Sequence, residues 1–309
     1  MSQKQNHNLE EAIVTLNINA LRGRMLRVSA KSKKSREILL VYGHHASIER
    51  MVGFVEELSK YGAVTLPDLP GFGGMESFYK IGEKPTLDNL ADYLAAFIKL
   101  RYKRRRITIL GMSLGFLIVT RMLQKYPDIA KRVDLLVSVV GFAHHEDFIL
   151  PRRIRWPLRI TASIFSNKYP ALFMKTFILR GPVIRACYAL VADSHSKLKD
   201  ADKEEQSQRI NFEIGLWQSN DIRTYMDTTV TMLRADTCGV QVALPVHHVA
   251  VDVDRYFDNH RVEQHFGVIY EHVYIINARQ KTHAPTVVAT AKEASAFIPP
   301  ALRRLLSKS

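Results

Sequence analysis

A serine at position 113 lies between two glycines, in a Gly-x-Ser-x-Gly pattern at residues 111–115. Residues 107–110 before it are rich in apolar and β-branched side chains, and apolar side chains recur at helical spacing after it. This combination predicts a strand, a sharp turn and a helix, with the serine at the turn. Glycine keeps side chains away from such a turn, and the helix N-terminus offers N–H groups and a positive dipole to an oxyanion. Ser113 is therefore the predicted nucleophile.

A serine hydroxyl is a weak nucleophile unless a base removes its proton, and the base needs a carboxylate to orient it. His283 is the best candidate for the base, because it follows the last predicted strand, at the end of the sheet where the serine turn opens. Asp254 follows the preceding strand and is the favoured carboxylate. Capping of the final helix is the alternative role for His283. Together the three residues predict nucleophilic attack on a carbonyl carbon.

Other carboxylates compete with Asp254. Asp252 lies two residues earlier, and side chains two apart in an extended segment share a face, so alternation does not separate the pair. Asp254 is favoured because it lies further past the strand. Asp258 is a third candidate, and Glu146 or Asp147, after the strand that follows the serine helix, is a further alternative.

Strands and helices alternate over much of the chain, which predicts an α/β fold with a mostly parallel central sheet and helices on both faces. An N-terminal antiparallel hairpin is predicted over 11–29, with its turn at 21–24. The strands that follow are predicted at 38–42, 63–66, 107–110, 135–140, 246–254 and 273–276.

The alternation stops between residues 144 and 243. This segment is predicted to be a helical cap inserted into the sheet domain, with helices at 196–210 and 211–234. The predicted organisation is an α/β core at 11–143 and 244–298, the cap at 144–243, and tails at 1–10 and 299–309. A final helix is predicted after His283, ending before the two prolines at 299 and 300.

The motifs together resemble the α/β hydrolase superfamily, in particular a capped serine hydrolase of the esterase or lipase kind. Residues 42–44 resemble its oxyanion loop, and residues 68–73 match its Asp-x-Pro-Gly-x-Gly loop closely. The serine turn resembles its nucleophile elbow, and the chain order Ser113, Asp254, His283 is the one this superfamily uses. The resemblance covers residues 11–298.

The resemblance implies an oxyanion hole formed by the backbone N–H groups of His44 and Leu114. His45 and Met112 are expected to line the substrate pocket, and no cofactor is expected. Asp68 is expected to hold its loop by bonding to the backbone.

The sequence also departs from the family pattern. Tyr42 stands where histidine is usual, and Val251 and Thr282 stand near places where glycine is frequent. None of these changes removes a catalytic group. The leading hypothesis is a serine hydrolase that cleaves a carboxylic ester, a lipid ester and a thioester included. The alternatives are a non-catalytic binding or signalling protein, an acyltransferase and a C–C hydrolase on the same fold.

The composition of the chain limits which partners and which cellular location are expected. The chain has 309 residues, 47% of them hydrophobic, and a net charge of +14 with a pI of about 9.8. It has no apolar stretch long enough to span a membrane, no apolar signal core, and only two cysteines, so a cytoplasmic setting is the expectation. No zinc-finger spacing, aromatic-basic motif or repeat indicates a nucleic-acid partner. Nothing in the sequence predicts an oligomeric state.

The predicted cap combines aromatic and aliphatic residues with arginines. The apolar residues favour an ester with an apolar acyl part. The arginines fit an anionic head group or peripheral contact with an anionic membrane, and equally a solvated helix face. Three His-His pairs occur, at 44–45, 144–145 and 247–248. The first two, with Glu146 or Asp147, are candidate metal ligands, but polar lining of a pocket is favoured and no metal is expected.

Overall fold

The computed structural model describes residues 12–31, 36–191, 203–278, 283 and 290–308. The strands in chain order are β1 (Ile13–Ile18), β2 (Leu21–Val28), β3 (Glu37–Val41), β4 (Ala63–Pro67), β5 (Ile107–Met112), β6 (Val133–Val139), β7 (Val242–Val251) and β8 (Tyr270–Ala278). The helices are α1 (Val52–Leu58), α2 (Leu87–Tyr102), α3 (Leu114–Lys125), α4 (Pro127–Ala130), α5 (Arg152–Phe165), α6 (Lys168–Phe173), α7 (Gly181–Val191), α8 (Lys203–Ser219), α9 (Ile222–Met232), α10 (Asn259–Ile269), α11 (Ala291–Ala296) and α12 (Pro300–Ser307).

The strands form one sheet in the order β1-β2-β4-β3-β5-β6-β7-β8. The strands β3 to β8 run parallel to one another, whereas β1 and β2 form an antiparallel hairpin whose second strand pairs antiparallel with β4. Every residue of β3 and β5 is buried, so these central strands are covered on both faces. The edge strands β1 and β8 mix buried and exposed residues. The predicted α/β fold with a mostly parallel sheet is confirmed.

The turn of the N-terminal hairpin was misplaced by the sequence analysis. It lies at Asn19 and Ala20, both of which have positive φ angles (50° and 62°), and residues 21–24 belong to β2. Gly23 had indicated the turn, but a Cβ at this position would lie 1.9 Å from Sδ of Met75. A side chain at position 23 would have to displace Met75, so the glycine reflects close packing inside a strand and not a turn.

The insertion is helical, as predicted, but its helices have different bounds. The sequence predicts one helix over 211–234, whereas α8 and α9 are separate helices. The side chain of Asp221 accepts the N–H of Thr224 at 2.7 Å and so caps the start of α9. The helix predicted at 196–210 is found from Lys203 onward as part of α8, and its first residues lie outside the described part of the chain. Hydrophobic spacing does not reveal this cap, so the sequence predicts one long helix where Asp221 starts a second one.

The C-terminal residues 299–309 were predicted to be a tail, and this is wrong for most of them. Pro300 opens α12, and Leu302 and Leu306, four residues apart, are fully buried in the main core. Residues 284–289, where the final helix was predicted to begin, lie outside the described residues. The helix α11 that follows them is shorter than predicted.

A second, smaller apolar cluster holds the insertion helices together. It contains Ala162 of α5, Ala171 of α6, and Ile222 and Met226 of α9. This cluster is separate from the large core around the sheet. Tyr225 packs against both clusters, and the division of the chain into core and cap stays a prediction. None of the described helices is long and apolar enough to cross a lipid bilayer.

The histidine pair on β7 is divided between two environments. His248 is buried, with Nδ1 2.9 Å from Oγ of Ser138, whereas the ring of His247 stacks on Tyr274 with centroids 4.9 Å apart. Burial lowers the pKa of His248 to about 4, from an ordinary value of 6.5. The folded protein therefore keeps this ring neutral at pH values where the unfolded chain binds a proton.

This shift predicts that His248 makes the fold less stable in mild acid. Protons bind preferentially to the unfolded chain as the pH falls from about 6.5 towards 4, so the free energy of unfolding falls over that window. Between pH 7 and pH 5, His248 is expected to account for a loss of about 2 kcal/mol. Urea unfolding at both pH values should show a smaller loss for His248→Asn than for the wild type. An equal loss in the two proteins would contradict the prediction.

Candidate active site

Ser113 lies at the turn between β5 and α3, as predicted, with φ 47° and ψ −120°. Positive φ is costly for a residue with a side chain and marks a strained turn. The flanking glycines allow the tight packing: a Cβ on Gly111 would lie 2.7 Å from Cα of Phe116, and one on Gly115 would lie 2.3 Å from the carbonyl oxygen of Tyr42. The pattern therefore has the physical basis that a nucleophile elbow requires.

The loop after β3 runs directly beside this turn. A Cβ on Gly43 would lie 3.1 Å from Cβ of Ser113 and 3.7 Å from its Oγ. Leu114 is the first residue of α3, where backbone N–H groups have no partner within the helix. Within the described part of the chain, the N–H groups of His44 and Leu114 donate no hydrogen bond. Among the described residues, these two backbone donors next to the Gly43 and Ser113 turns thus have no acceptor.

The predicted base and acid are in contact. Nδ1 of His283 lies 2.7 Å from Oδ2 of Asp254, and both side chains are almost fully buried. The other oxygen of Asp254 accepts the N–H groups of Tyr256 and Phe257 at 2.8 and 3.2 Å. The rings of these two residues pack edge-on against His283. Asp254 is therefore held by the loop and accepts a hydrogen bond from the Nδ1–H of His283, which leaves Nε2 as the basic nitrogen.

The described residues do not include a hydrogen bond between Ser113 and His283. The sheet nevertheless brings the two residues to one edge, because each follows the carboxyl end of a parallel strand, β5 for Ser113 and β8 for His283.

The competing carboxylates do not pair with His283 among the described residues: some have other partners, and one is exposed. Asp252, the closest competitor, is exposed on the loop after β7. Asp258 caps α10 by accepting the N–H groups of His260 and Arg261. Glu146 is about half exposed and forms an ion pair with Arg152. None of these carboxylates bonds to His283 within the described structure.

Asp147 is the most strongly held of the alternatives. It is fully buried, and Oδ2 accepts the N–H groups of Ala143 and His144 at 2.9 and 3.0 Å. Its other oxygen, Oδ1, lies 2.5 Å from Nδ1 of His265. Asp147 therefore orients a different histidine, on α10, and ties the start of the insertion to that helix.

The histidine side chains of the oxyanion loop face the insertion. Nε2 of His44 lies 3.1 Å from the carbonyl oxygen of Tyr225 and 3.0 Å from Oγ1 of Thr228, both on α9. Burial, helped by the neighbouring His45, lowers the pKa of His44 to about 3. The ring is neutral at ordinary pH, and because a carbonyl only accepts, Nε2 carries the proton and donates to Tyr225. This bond anchors the loop and leaves the backbone N–H to act separately.

His45 takes part in a buried charged network with α8. Its Nε2 lies 3.3 Å from Glu213, and its Nδ1 accepts from the amide of Asn220 at 3.2 Å. Glu213 also forms an ion pair with Arg50, which donates to the carbonyl oxygen of His45 at 2.8 Å. The indole ring of Trp217 packs on His45 with centroids 4.2 Å apart. The network fixes the backbone of the loop that carries the candidate oxyanion donors.

Asp68 holds its loop, as the sequence analysis expected. Its Oδ1 accepts the hydroxyl of Tyr42 and the N–H of Ile48 at 2.9 and 3.1 Å. Its Oδ2 accepts the N–H of Gly74 at 2.9 Å and pairs with Arg24 at 2.7 Å. Burial raises the pKa of Tyr42, so the hydroxyl stays protonated and can donate. The tyrosine in place of the usual histidine therefore has a structural role.

The loop at 68–73 also binds the insertion. The N–H of Gly73 donates to Oδ1 of Asn220 at 2.9 Å, and the N–H of Asp221 donates to the carbonyl oxygen of Gly71 at 2.8 Å. Gly71 has a φ of 81°, and a Cβ there would lie 2.4 Å from Oγ1 of Thr224. These contacts place the start of α9 over the candidate site.

Several residues around the site were not predicted as functional. Trp217 and Tyr225 lie in the segment that the sequence predicts only as a helix over 211–234, and Glu213, Asn220 and Thr228 of the same segment have no predicted role. The Asn-Asp sequence at 220–221 is a helix-start signal that could have located the contact. Nothing in the sequence links Glu213 to Arg50, because that pairing depends on the tertiary fold.

One group of metal-ligating side chains occurs among the described residues. Ligand atoms of His144, Glu146 and His265 lie within 4.8 Å of one another. Nδ1 of His144 accepts the N–H of Glu146, and His265 is bonded to Asp147, so each ring already has a protein partner through one nitrogen. The pair at 44–45 contacts α8 and α9 instead. The absence of a metal stays a prediction.

The family follows from the sequence. Residues 32–209, more than half of the chain and including the elbow and both loops, match the family described as serine aminopeptidase, S33. The chain belongs to this family of the α/β hydrolase superfamily. Family and fold together support a hydrolytic enzyme. No curated protein matches the sequence of this S33-family hydrolase.

Solved structures with the same fold cover nearly the whole S33-family chain. The enol-lactonase from Burkholderia xenovorans aligns with a TM-score of 0.66 at 14% identity, over 94% of this chain and 99% of that one. A thermophilic esterase from Thermogutta terrifontis aligns with 0.61 at 18%, over 96% and 98%. A bacterial membrane phospholipase A aligns with 0.65 at 13%, over 99% and 91%. At such identities the similarity shows the fold alone.

Proposed function

We propose that this protein is a serine hydrolase that cleaves carboxylic esters with an apolar acyl part, lipid esters included. Oγ of Ser113 attacks the ester carbonyl while Nε2 of His283 takes its proton. Asp254 stabilises the imidazolium through Nδ1, and the N–H groups of His44 and Leu114 stabilise the oxyanion. The alcohol leaves with the proton from His283. Water then attacks the acyl-enzyme, giving up a proton to His283, and the carboxylic acid leaves as Ser113 is reprotonated.

The observation that carries this proposal is the buried contact between His283 and Asp254. Burying a carboxylate and an imidazole is costly unless the groups are paired. This pair follows the carboxyl ends of the parallel strands β7 and β8, at the edge of the sheet where the serine turn also opens. The two backbone N–H groups that bind the other oxygen of Asp254 fix which oxygen faces the ring. A histidine oriented in this way, at the sheet edge that also carries the strained serine turn, is suited to act as a general base.

The surroundings favour an ester with an apolar acyl group over a peptide N-terminus. Aromatic rings of Trp217 and Tyr225 lie against the oxyanion-loop histidines, and Tyr256 and Phe257 flank His283. An aminopeptidase needs a carboxylate to bind the substrate ammonium group. Glu213, the buried carboxylate beside His45, is already paired with Arg50. We therefore place ester hydrolysis ahead of the aminopeptidase activity in the family's description.

A fluorophosphonate probe tests the proposal directly. The probe phosphonylates an activated serine, so the wild type should be labelled on the peptide that contains Ser113, and Ser113→Ala should not be labelled. Hydrolysis of p-nitrophenyl esters of increasing chain length, with an aminoacyl p-nitroanilide beside them, identifies the bond cleaved. We expect release from the esters, strongest for acyl chains longer than acetyl, and little or none from the anilide.

Two results would oppose the proposal. Labelling that persists in Ser113→Ala would mean that another residue is the nucleophile. A folded wild type with neither labelling nor ester hydrolysis would favour the non-catalytic alternative on the same fold.

A further inference from the structure

The outer helices of the insertion expose an unusual number of large apolar side chains. Among the described residues, twelve of the twenty exposed large hydrophobic side chains fall within residues 149–183. They include Trp156, Tyr169 and Phe177, which are 62%, 79% and 59% exposed. The others are Ile149, Ile154, Leu158, Ile160, Ile164, Leu172, Phe173, Ile178 and Val183. A concentration of large exposed apolar side chains in one segment of the chain indicates an interaction site.

Basic side chains lie within the same segment, and the acidic Glu146, which precedes it, pairs with Arg152 at 3.5 Å. The segment 149–191 contains eight arginines and lysines and no aspartate or glutamate. Arg152, Arg153, Lys168, Lys175, Arg180 and Arg185 are exposed. A solvated helix face usually carries charges of both signs, and solvent exposure alone does not explain the large apolar side chains between these charges.

The apolar residues do not belong to the internal packing of the insertion. Ala162 and Ala171 face inward and pack on α9, together with Ile222 and Met226. In turn, α9 contacts the oxyanion loop through Tyr225. The twelve exposed apolar side chains therefore lie outside both packed clusters of the described structure.

We propose that residues 149–191, here called the docking surface, bind the surface of an anionic lipid bilayer. Apolar side chains would enter the interface, the aromatic rings would lie at head-group level, and the basic side chains would contact anionic head groups. A second copy of this chain fits poorly, because it would bring two strongly basic surfaces together. The proposal does not rest on the proposed function, since binding can be measured without catalysis.

Vesicle co-sedimentation of the full chain tests the docking surface. Wild type should bind vesicles of phosphatidylcholine with phosphatidylserine, bind phosphatidylcholine alone more weakly, and lose affinity as salt is raised. Arg152→Glu with Arg153→Glu should bind the anionic vesicles at least about 25-fold more weakly, at about 5-fold per charge. Trp156→Ala with Phe177→Ala should also bind more weakly, by up to about tenfold, because less apolar surface is buried in the bilayer interface.

Matched variants separate this surface from bulk charge and bulk hydrophobicity. Arg104→Glu with Arg106→Glu makes the same change in net charge at exposed positions outside the docking surface, and Leu100→Ala removes an apolar side chain that is 61% exposed. Both controls should bind as the wild type does, and thermal unfolding should show that every variant is folded. Equal weakening by the charge control and the Arg152 and Arg153 pair, or no binding of wild type to anionic vesicles, would overturn the proposal. So would self-association through the docking surface without vesicle binding.

Discussion

Ser113→Ala is expected to lower kcat for ester hydrolysis by about 10⁴- to 10⁶-fold while leaving the fold intact. Alanine removes Oγ, so the acyl-enzyme cannot form, but it fits the same strained backbone position, with φ 47° and ψ −120°. The remaining activity would come from substrate binding and the oxyanion donors alone. Steady-state kinetics with a water-soluble ester, together with the thermal unfolding midpoint, measure the two effects separately.

The matched control for this change is Ser29→Ala, at an exposed position after β2. It makes the same chemical change outside the candidate site and should leave kcat and KM as in the wild type. A Ser113→Ala enzyme with more than about one hundredth of the wild-type kcat would argue that the hydrolysis does not proceed through this serine.

The elbow could be predicted because two independent sequence signals coincide at it. A β-type run changes to helical spacing within a few residues, and glycines flank the serine at the point of change. Both signals are local, since they arise from neighbours in the chain. A prediction from neighbouring residues was wrong at Gly23, where a turn was expected. The glycine there packs closely against Met75, a residue distant in sequence.

The choice between Asp252 and Asp254 could not be made from alternation. Both residues follow the same strand, and in an extended segment their side chains would point to the same face. Only the path of the chain after Val251 distinguishes them. There the backbone turns so that the N–H groups of Tyr256 and Phe257 meet Asp254, while Asp252 stays exposed. Loop conformation of this kind depends on contacts across the fold, and hydrophobic spacing does not encode it.

Contacts between the insertion and the core could not be predicted from the sequence either, because they too depend on the tertiary fold. The insertion could be recognised from the loss of alternation, but its partners could not. The pairing of Glu213 with Arg50 and the bond from Gly73 to Asn220 join residues more than a hundred positions apart. These contacts arise only once the sheet is formed, and they determine where α8 and α9 lie over the oxyanion loop.

Asp254→Asn is expected to lower kcat by about 10⁴-fold with little change in stability. The carbonyl oxygen of asparagine can still accept the N–H groups of Tyr256 and Phe257, so the loop should keep its conformation. Its amide would then face Nδ1 of His283 as a donor, where the carboxylate had been an acceptor. The ring would have to carry its proton on Nε2, the nitrogen that must take the proton from Ser113. Steady-state kinetics and thermal unfolding of the variant measure both expectations.

Two variants decide whether this loss is specific to the candidate acid. Asp252→Asn makes the same change two residues away, on an exposed side chain, and should leave kcat unchanged. Asp147→Asn alters the buried contact with His265 and should lower the free energy of unfolding. Its effect on kcat, expressed as a free energy, should be smaller. If Asp252→Asn or Asp147→Asn lost activity as severely as we expect of Asp254→Asn, while Asp254→Asn stayed active, the carboxylate would be misassigned. The contact between Asp254 and His283 would then be a structural ion pair.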